Sequence, residues 1–223
     1  MSSVRHHPKT ETLADYAAGR LDEARAVVIA THAAQCAQCS CAIADFEALG
    51  GDFLDAVDPV PMADDALEKI LARAGTGANI VLPEAPVGDA APMAALEKRL
   101  PLSAYLKGDL DAVKWRPVAP GLSQSVIDAQ GYRNGVLRLL KIEPGTKMPR
   151  HTHKGDELTL ILRGAYEDEV GRFGVGDLAD LDGEHTHSPK AIGDEPCVCL
   201  IATSAPLAFK TIAGRIAQPF IGL

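Results

Sequence analysis

Apolar positions fall into two textures that divide the chain. Over residues 12 to about 55 they recur at helical spacing, as in Leu13, Tyr16 and Ala17 and then Leu21, Val28 and His32. Gly19 is placed to end a first helix. Asp22 and Glu23 suit the opening turn of a second, where carboxylates oppose the positive end of the helix dipole. A further helix is predicted over residues 63–74. The next run, GTGANIVLPEAPVGDAAP over residues 75–92, concentrates Gly, Pro and Ala without a sustained period and reads as a connector. Beyond it, short Val, Leu and Ile runs are cut by Gly, Pro and Asp: GVLRLLKIEPG, ELTLILRGAYEDEVGRFGVGDLADL and CVCLIATSAPLAFKTIAG. That texture predicts an antiparallel all-β sandwich or barrel. The expected organisation is an all-α domain over residues 1–75, a linker over 76–95 and an all-β domain over 96–223.

Composition fits this division. The 223 residues are 47% hydrophobic and 23% charged, enough to bury two modest cores, and only 4% aromatic, so the packing is expected to be aliphatic and alanine-rich. A formal net charge of −8 opposes direct nucleic-acid binding, which needs a basic face, and favours a basic protein partner. No apolar run approaches the roughly 20 residues that span a bilayer, and the start lacks a basic segment followed by an apolar one. A cytoplasmic location without membrane contact is therefore expected.

Five cysteines is an odd number, and Cys36, Cys39 and Cys41 crowd together close after His32, a pattern of metal binding rather than of a disulfide framework. His32, Cys36 and Cys39 stand at i, i+4 and i+7, which on one continuous helix places them within a sector of about 60°. Zinc takes four N or S ligands in a tetrahedron, so a fourth is expected from upstream, where His6 and His7 are available. Such a site would be structural, tying the chain start to the second helix. By the same arithmetic Cys41 lies opposite the site and is expected to be a small buried or interfacial residue.

The β region carries a second constellation, GTKMPRHTHKGDELTLILRG, in which Gly145, His151, His153, Glu157 and Gly164 match the first cupin motif, G-x5-H-x-H-x3-E-x6-G. In a strand, residues two apart share a face, so His151 and His153 point the same way. The second cupin motif, G-x5-P-x-G-x2-H, is met at Gly176 and His187, while Asp182 and Glu184 stand where Pro and Gly are expected. His185 is an alternative ligand two residues out of register. Such a set of imidazoles and a carboxylate suits zinc or another divalent metal. Cys197 and Cys199 alternate along an apolar strand and are expected to be core.

A histidine near the start, H-x3-C-x2-C downstream and a following cupin module together resemble the ChrR-type anti-sigma family over nearly the whole chain. The segment L-x-x-Y-A-A-G at Leu13 to Gly19 belongs to the same resemblance, whose register favours His7 over His6. The resemblance implies a zinc-binding helical domain followed by a jelly-roll cupin domain, with structural zinc on His7, His32, Cys36 and Cys39. It also implies zinc or another divalent metal on His151, His153, Glu157 and His187. Its expected partner is an extracytoplasmic-function sigma factor, masked by the helical domain and released under oxidative stress such as singlet oxygen. The acidic run Asp45, Glu47, Asp52, Asp55, Asp58, Asp64, Asp65 and Glu68, unbroken by Lys or Arg, would then oppose basic sigma surfaces. No catalytic residues are expected. A cupin dioxygenase or isomerase with a partner-binding appendage is the alternative, and a zinc-finger DNA binder is disfavoured by the acidic balance.

Overall fold

The computed structural model describes residues 4–74, 101–106, 109–127, 136–153, 155–183, 185–204 and 207–209; the side chains of His153 and of residues 207–209 are outside the description. The whole of the expected 76–95 connector lies outside the described residues, as does Glu184. Four helices come first: α1 (Thr10–Ala17), α2 (Glu23–Ala33), α3 (Ala37–Asp55) and α4 (Ala66–Ala74). Gly19 follows α1 with φ +65°, a left-handed conformation that costs other residues strain. Asp22 caps α2, its carboxylate accepting from the Arg25 N–H at 3.0 Å. The helix expected over 63–74 begins instead at Ala66.

Among the described residues twelve strands follow: β1 (Arg116–Ala119), β2 (Leu122–Ile127), β3 (Val136–Ile142), β4 (His151–His153), β5 (Glu157–Arg163), β6 (Ala165–Glu167), β7 (Arg172–Gly174), β8 (Leu178–Leu181), β9 (Thr186–His187), β10 (Lys190–Ile192), β11 (Cys197–Thr203) and β12 (Leu207–Phe209). They form a six-stranded sheet, β1-β2-β3-β11-β5-β8, and two three-stranded sheets, β10-β6-β7 and β12-β4-β9, all paired antiparallel. The architecture is the expected one, a small helical unit followed by a β jelly roll.

Period-two alternation sorts the large sheet into two apolar faces. Leu140 and Ile142 of β3, Ile161 of β5 and Cys197, Cys199 and Ile201 of β11 join Tyr166 and Phe173 in the barrel interior. The intervening residues Leu137, Leu139, Leu158, Leu160, Val198, Leu200 and Ala202 form the opposite face, and the helical unit covers it. Ala24, Val28 and Ile29 of α2, all fully buried, belong to that same cluster, as do Leu13, Cys36, Cys39 and Ile43. A short helical unit thus completes its core on the outside of the barrel sheet. This double burial explains why every residue of β11 is apolar or buried, as a strand covered on both faces requires.

Polar contacts fix the docking. The extended segment before α1 runs beside β8: the Leu178 N–H donates to the His6 carbonyl, and the Lys9 N–H and Thr12 hydroxyl donate to the Asp180 carboxylate. Farther round, Arg25 reaches Asp156, and the Tyr105 hydroxyl donates to Glu23 at 2.6 Å.

Candidate functional site

The helical unit brings His7, His32, Cys36 and Cys39 together, with one ligand atom from each lying within 4.8 Å of the others. His7 turns Nδ1 toward both sulfurs, 3.4 Å from Cys36 Sγ and 3.4 Å from Cys39 Sγ, and His32 Nε2 stands 3.3 Å from Cys39 Sγ. Ligand bonds of roughly 2.05 Å to nitrogen and 2.3 Å to sulfur at a tetrahedral centre imply N···S edges of about 3.6 Å. The four side chains therefore fit a small divalent cation. His6 is turned away: its ring packs 4.3 Å from Phe173, and its Nε2 lies 3.1 Å from the Arg172 carbonyl.

One expectation needs correction. His32, Cys36 and Cys39 do not share one helix. His32 sits in the last turn of α2, Cys36 caps the start of α3 with extended backbone (φ −124°, ψ 101°), and Cys39 occupies the first turn of α3. A continuous helix would spread His32 and Cys39 over about 10 Å of axis. The corner between α2 and α3 removes that separation. Cys41, expected to be buried or interfacial, is exposed.

The electrostatics suit a cation. Burial of His32 outweighs the hydrogen bond from its Nδ1 to the Gly176 carbonyl and, with His7 nearby, lowers its pKa to about 4, so the ring is neutral at pH 7 and its Nε2 can accept a metal. Burial, with Cys36 beside it, pushes the Cys39 thiol up to about 12. Two thiolates cannot coexist here without a positive charge between them, a charge that a metal ion would supply.

The second constellation lines a cavity inside the barrel, bounded by His151, Glu157 and His187 together with Arg138, Tyr166 and Cys199. Register places His151 of β4 directly opposite His187 of β9, their rings 4.5 Å apart, while Glu157 opens β5. His151 Nδ1 lies 2.8 Å from the Pro149 carbonyl, and His187 Nδ1 lies 2.9 Å from Asp168 Oδ2. Oxygens at Nδ1 fix the proton there and leave Nε2 as the basic nitrogen, the usual outer arrangement of metal-binding imidazoles. Burial opposes ionisation of Asp168, but His187 and the N–H groups of Val170 and Gly171 hold its carboxyl below the ordinary range. His153 pairs with Leu207 along the backbone of β4. The alternative His185 is exposed and turns to Asp182 at 2.7 Å. Asp168, Arg138 and Tyr166 were not singled out in the sequence: Asp168 stands between two glutamates, and nothing local marks it as the one facing inward.

The fold is a small helical unit, with a four-residue cluster that could hold a metal ion, docked on a cupin-like barrel. Residues 105–206 match the ChrR cupin-like domain family. Over 98% of both chains, the protein is 37% identical to anti-sigma-E factor ChrR of Cereibacter sphaeroides. Its structure also resembles that of anti-sigma ChrR in complex with SigE from Rhodobacter sphaeroides, with a TM-score of 0.74, 35% identity and coverage of 90% of this chain and 99% of that one. The chain belongs to the ChrR family of anti-sigma factors.

Proposed function

We propose that the helical unit binds and masks an extracytoplasmic-function sigma factor, holding it from transcription until oxidative stress, such as singlet oxygen, releases it. One observation carries this reading. The C-terminal half of α3 and all of α4 present an uncovered apolar surface: Leu49, Phe53, Leu54, Leu67, Ile70 and Leu71, with Phe53 68% and Leu71 61% exposed. A nine-residue helix with no buried side chain is too short to persist alone in water and needs a partner surface. Asp45, Glu47, Asp52, Asp55, Asp64, Asp65 and Glu68 flank it, giving the acidic rim that a basic sigma factor would meet. The ChrR relative bound to SigE supports the same class of partner.

In this reading zinc occupies His7, His32, Cys36 and Cys39 as a structural ion. Zinc or another divalent metal occupies His151, His153, Glu157 and His187 of the barrel. The domains run over residues 1–75 and 96–223 about a 76–95 linker, and the protein works in the cytoplasm without catalysing a reaction. Among the described residues no helix is long and apolar enough to cross a membrane. Co-expression with candidate sigma factors should yield a one-to-one complex by light scattering. Leu67→Asp with Ile70→Asp should abolish that complex while leaving the thermal midpoint of the chain unchanged. Retention of the complex by the double variant would overturn the assigned surface. The cavity around His151, Glu157 and His187 also suits a cupin metalloenzyme. Metal-dependent turnover of a small organic substrate, lost in His187→Ala, is the result that would establish it.

A further inference from the structure

The His7–His32–Cys36–Cys39 cluster draws outer support from the barrel. The turn from β7 to β8 supplies it: the Gly176 carbonyl receives His32 Nδ1–H at 3.0 Å, fixing the ring whose Nε2 faces Cys39. Asp177, buried beside it, accepts the Arg5 N–H at 2.6 Å and the His6 N–H at 3.1 Å on one carboxylate oxygen. Its other oxygen accepts the Gly174 N–H at 2.9 Å and so closes the same turn. The chain segment that delivers His7 and the carbonyl that orients His32 are therefore held by a single carboxylate. Gly176 is confined from two sides. Its φ is +89°, and a Cβ there would stand 2.9 Å from Val4 Cγ2 of the same N-terminal segment. Glycine at this position leaves room for the Val4 side chain and adopts the left-handed turn that aims its carbonyl at His32.

We infer that Asp177 and the Gly176 carbonyl are positioning groups of the His7–His32–Cys36–Cys39 centre, so that the barrel sets how tightly the helical unit retains its metal. The inference rests on the reading of those four residues as a metal centre. Neither group touches the ion. Asp177 acts through the backbone of Arg5 and His6 on His7, and Gly176 acts through Nδ1 on His32. The same turn leads into β8, whose end carries Asp182 in contact with Lys9 and His185, and then into His187 of the barrel site. Displacing the turn therefore disturbs ligands of the helical centre from within the barrel.

The test uses the full chain loaded with cobalt(II). In a Cys199→Ala background, which removes the thiol lining the barrel cavity, thiolate-to-cobalt charge-transfer absorption reports Cys36 and Cys39, because the four barrel ligands offer only nitrogen and oxygen. Release to a chromophoric chelator is followed in the parent, Asp177→Ala, Asp177→Asn, and Leu140→Ala, a barrel-interior control matched in thermal midpoint. Outer-shell losses commonly cost about 10- to 100-fold in metal affinity. Asp177→Ala should accordingly release cobalt at least about 10-fold faster than the parent and shift the charge-transfer band. Asp177→Asn keeps an acceptor for the Arg5 and His6 amides but sets an NH2 group against the Gly174 N–H, so it should release cobalt at a rate between those of Asp177→Ala and the parent, and Leu140→Ala should match the parent. Parental release by Asp177→Ala, or equal acceleration in Leu140→Ala, overturns the inference. Absence of the band in the parent instead overturns the metal centre itself.

Discussion

At the scale of single residues, burial decides the chemistry of the helical centre. The folded pKa of His32, about 4, lies below the ordinary value of 6.5, so the unfolded chain binds more protons between those limits. The stability that His32 contributes is complete above pH 6.5 and is lost progressively as pH falls toward 4. Denaturant midpoints of the metal-free chain should therefore drop across that window, and the drop should flatten in His32→Gln. Cys39 points the same way from the other side, because a thiol pushed up to about 12 is protonated at neutral pH until a metal arrives. Zinc uptake at pH 7 should release about two protons per helical site, measurable with an unbuffered indicator. Release of none would mean that the thiols are not ligands. His151, Glu157 and His187 stand at positions of the two cupin motifs, so their meeting at one cavity follows from the resemblance that those motifs carry. Asp168 was not legible in the sequence, since its role depends on a hairpin that folds the β6–β7 turn back onto His187 across 19 residues.

Among the elements, α2 and α4 illustrate opposite fates of an amphipathic helix. Ile29 of α2 lies fully buried in a cluster with Leu160 and Leu200 of the barrel sheet, so Ile29→Ala should cost about 2–4 kcal/mol in chemical denaturation. Ile70 of α4 is exposed, so Ile70→Ser should move stability by no more than about 0.5 kcal/mol while weakening sigma binding in a pull-down titration. Helical periodicity announced both helices but not which one the barrel would cover. The break between α2 and α3 was equally hidden. Ala33, Ala34, Gln35 and Ala37 are good helix formers with no Gly or Pro among them, and local propensity argues for continuity. The corner comes with the convergence of His7, His32, Cys36 and Cys39 and with packing of Cys36 and Cys39 into the shared core, neither of which is a local signal. The run CVCLIAT did hold a clue, for an unbroken apolar strand implies cover on both faces.

For the whole molecule, the helical unit and the barrel sheet share one core, so thermal unfolding should be a single cooperative transition seen alike by far-ultraviolet dichroism and by Trp115 fluorescence. Chelating the metals should lower that transition. Two separated transitions would mean that the shared core contributes little to stability. Strand β11 gives this arrangement a further consequence. Cys197, Cys199 and Ile201 face the barrel interior while Val198, Leu200 and Ala202 face α2, so one ribbon of backbone is the party wall between two rooms. Tenants on either side cannot renovate independently: whatever bows that wall from the barrel is felt through the plaster by the helix next door.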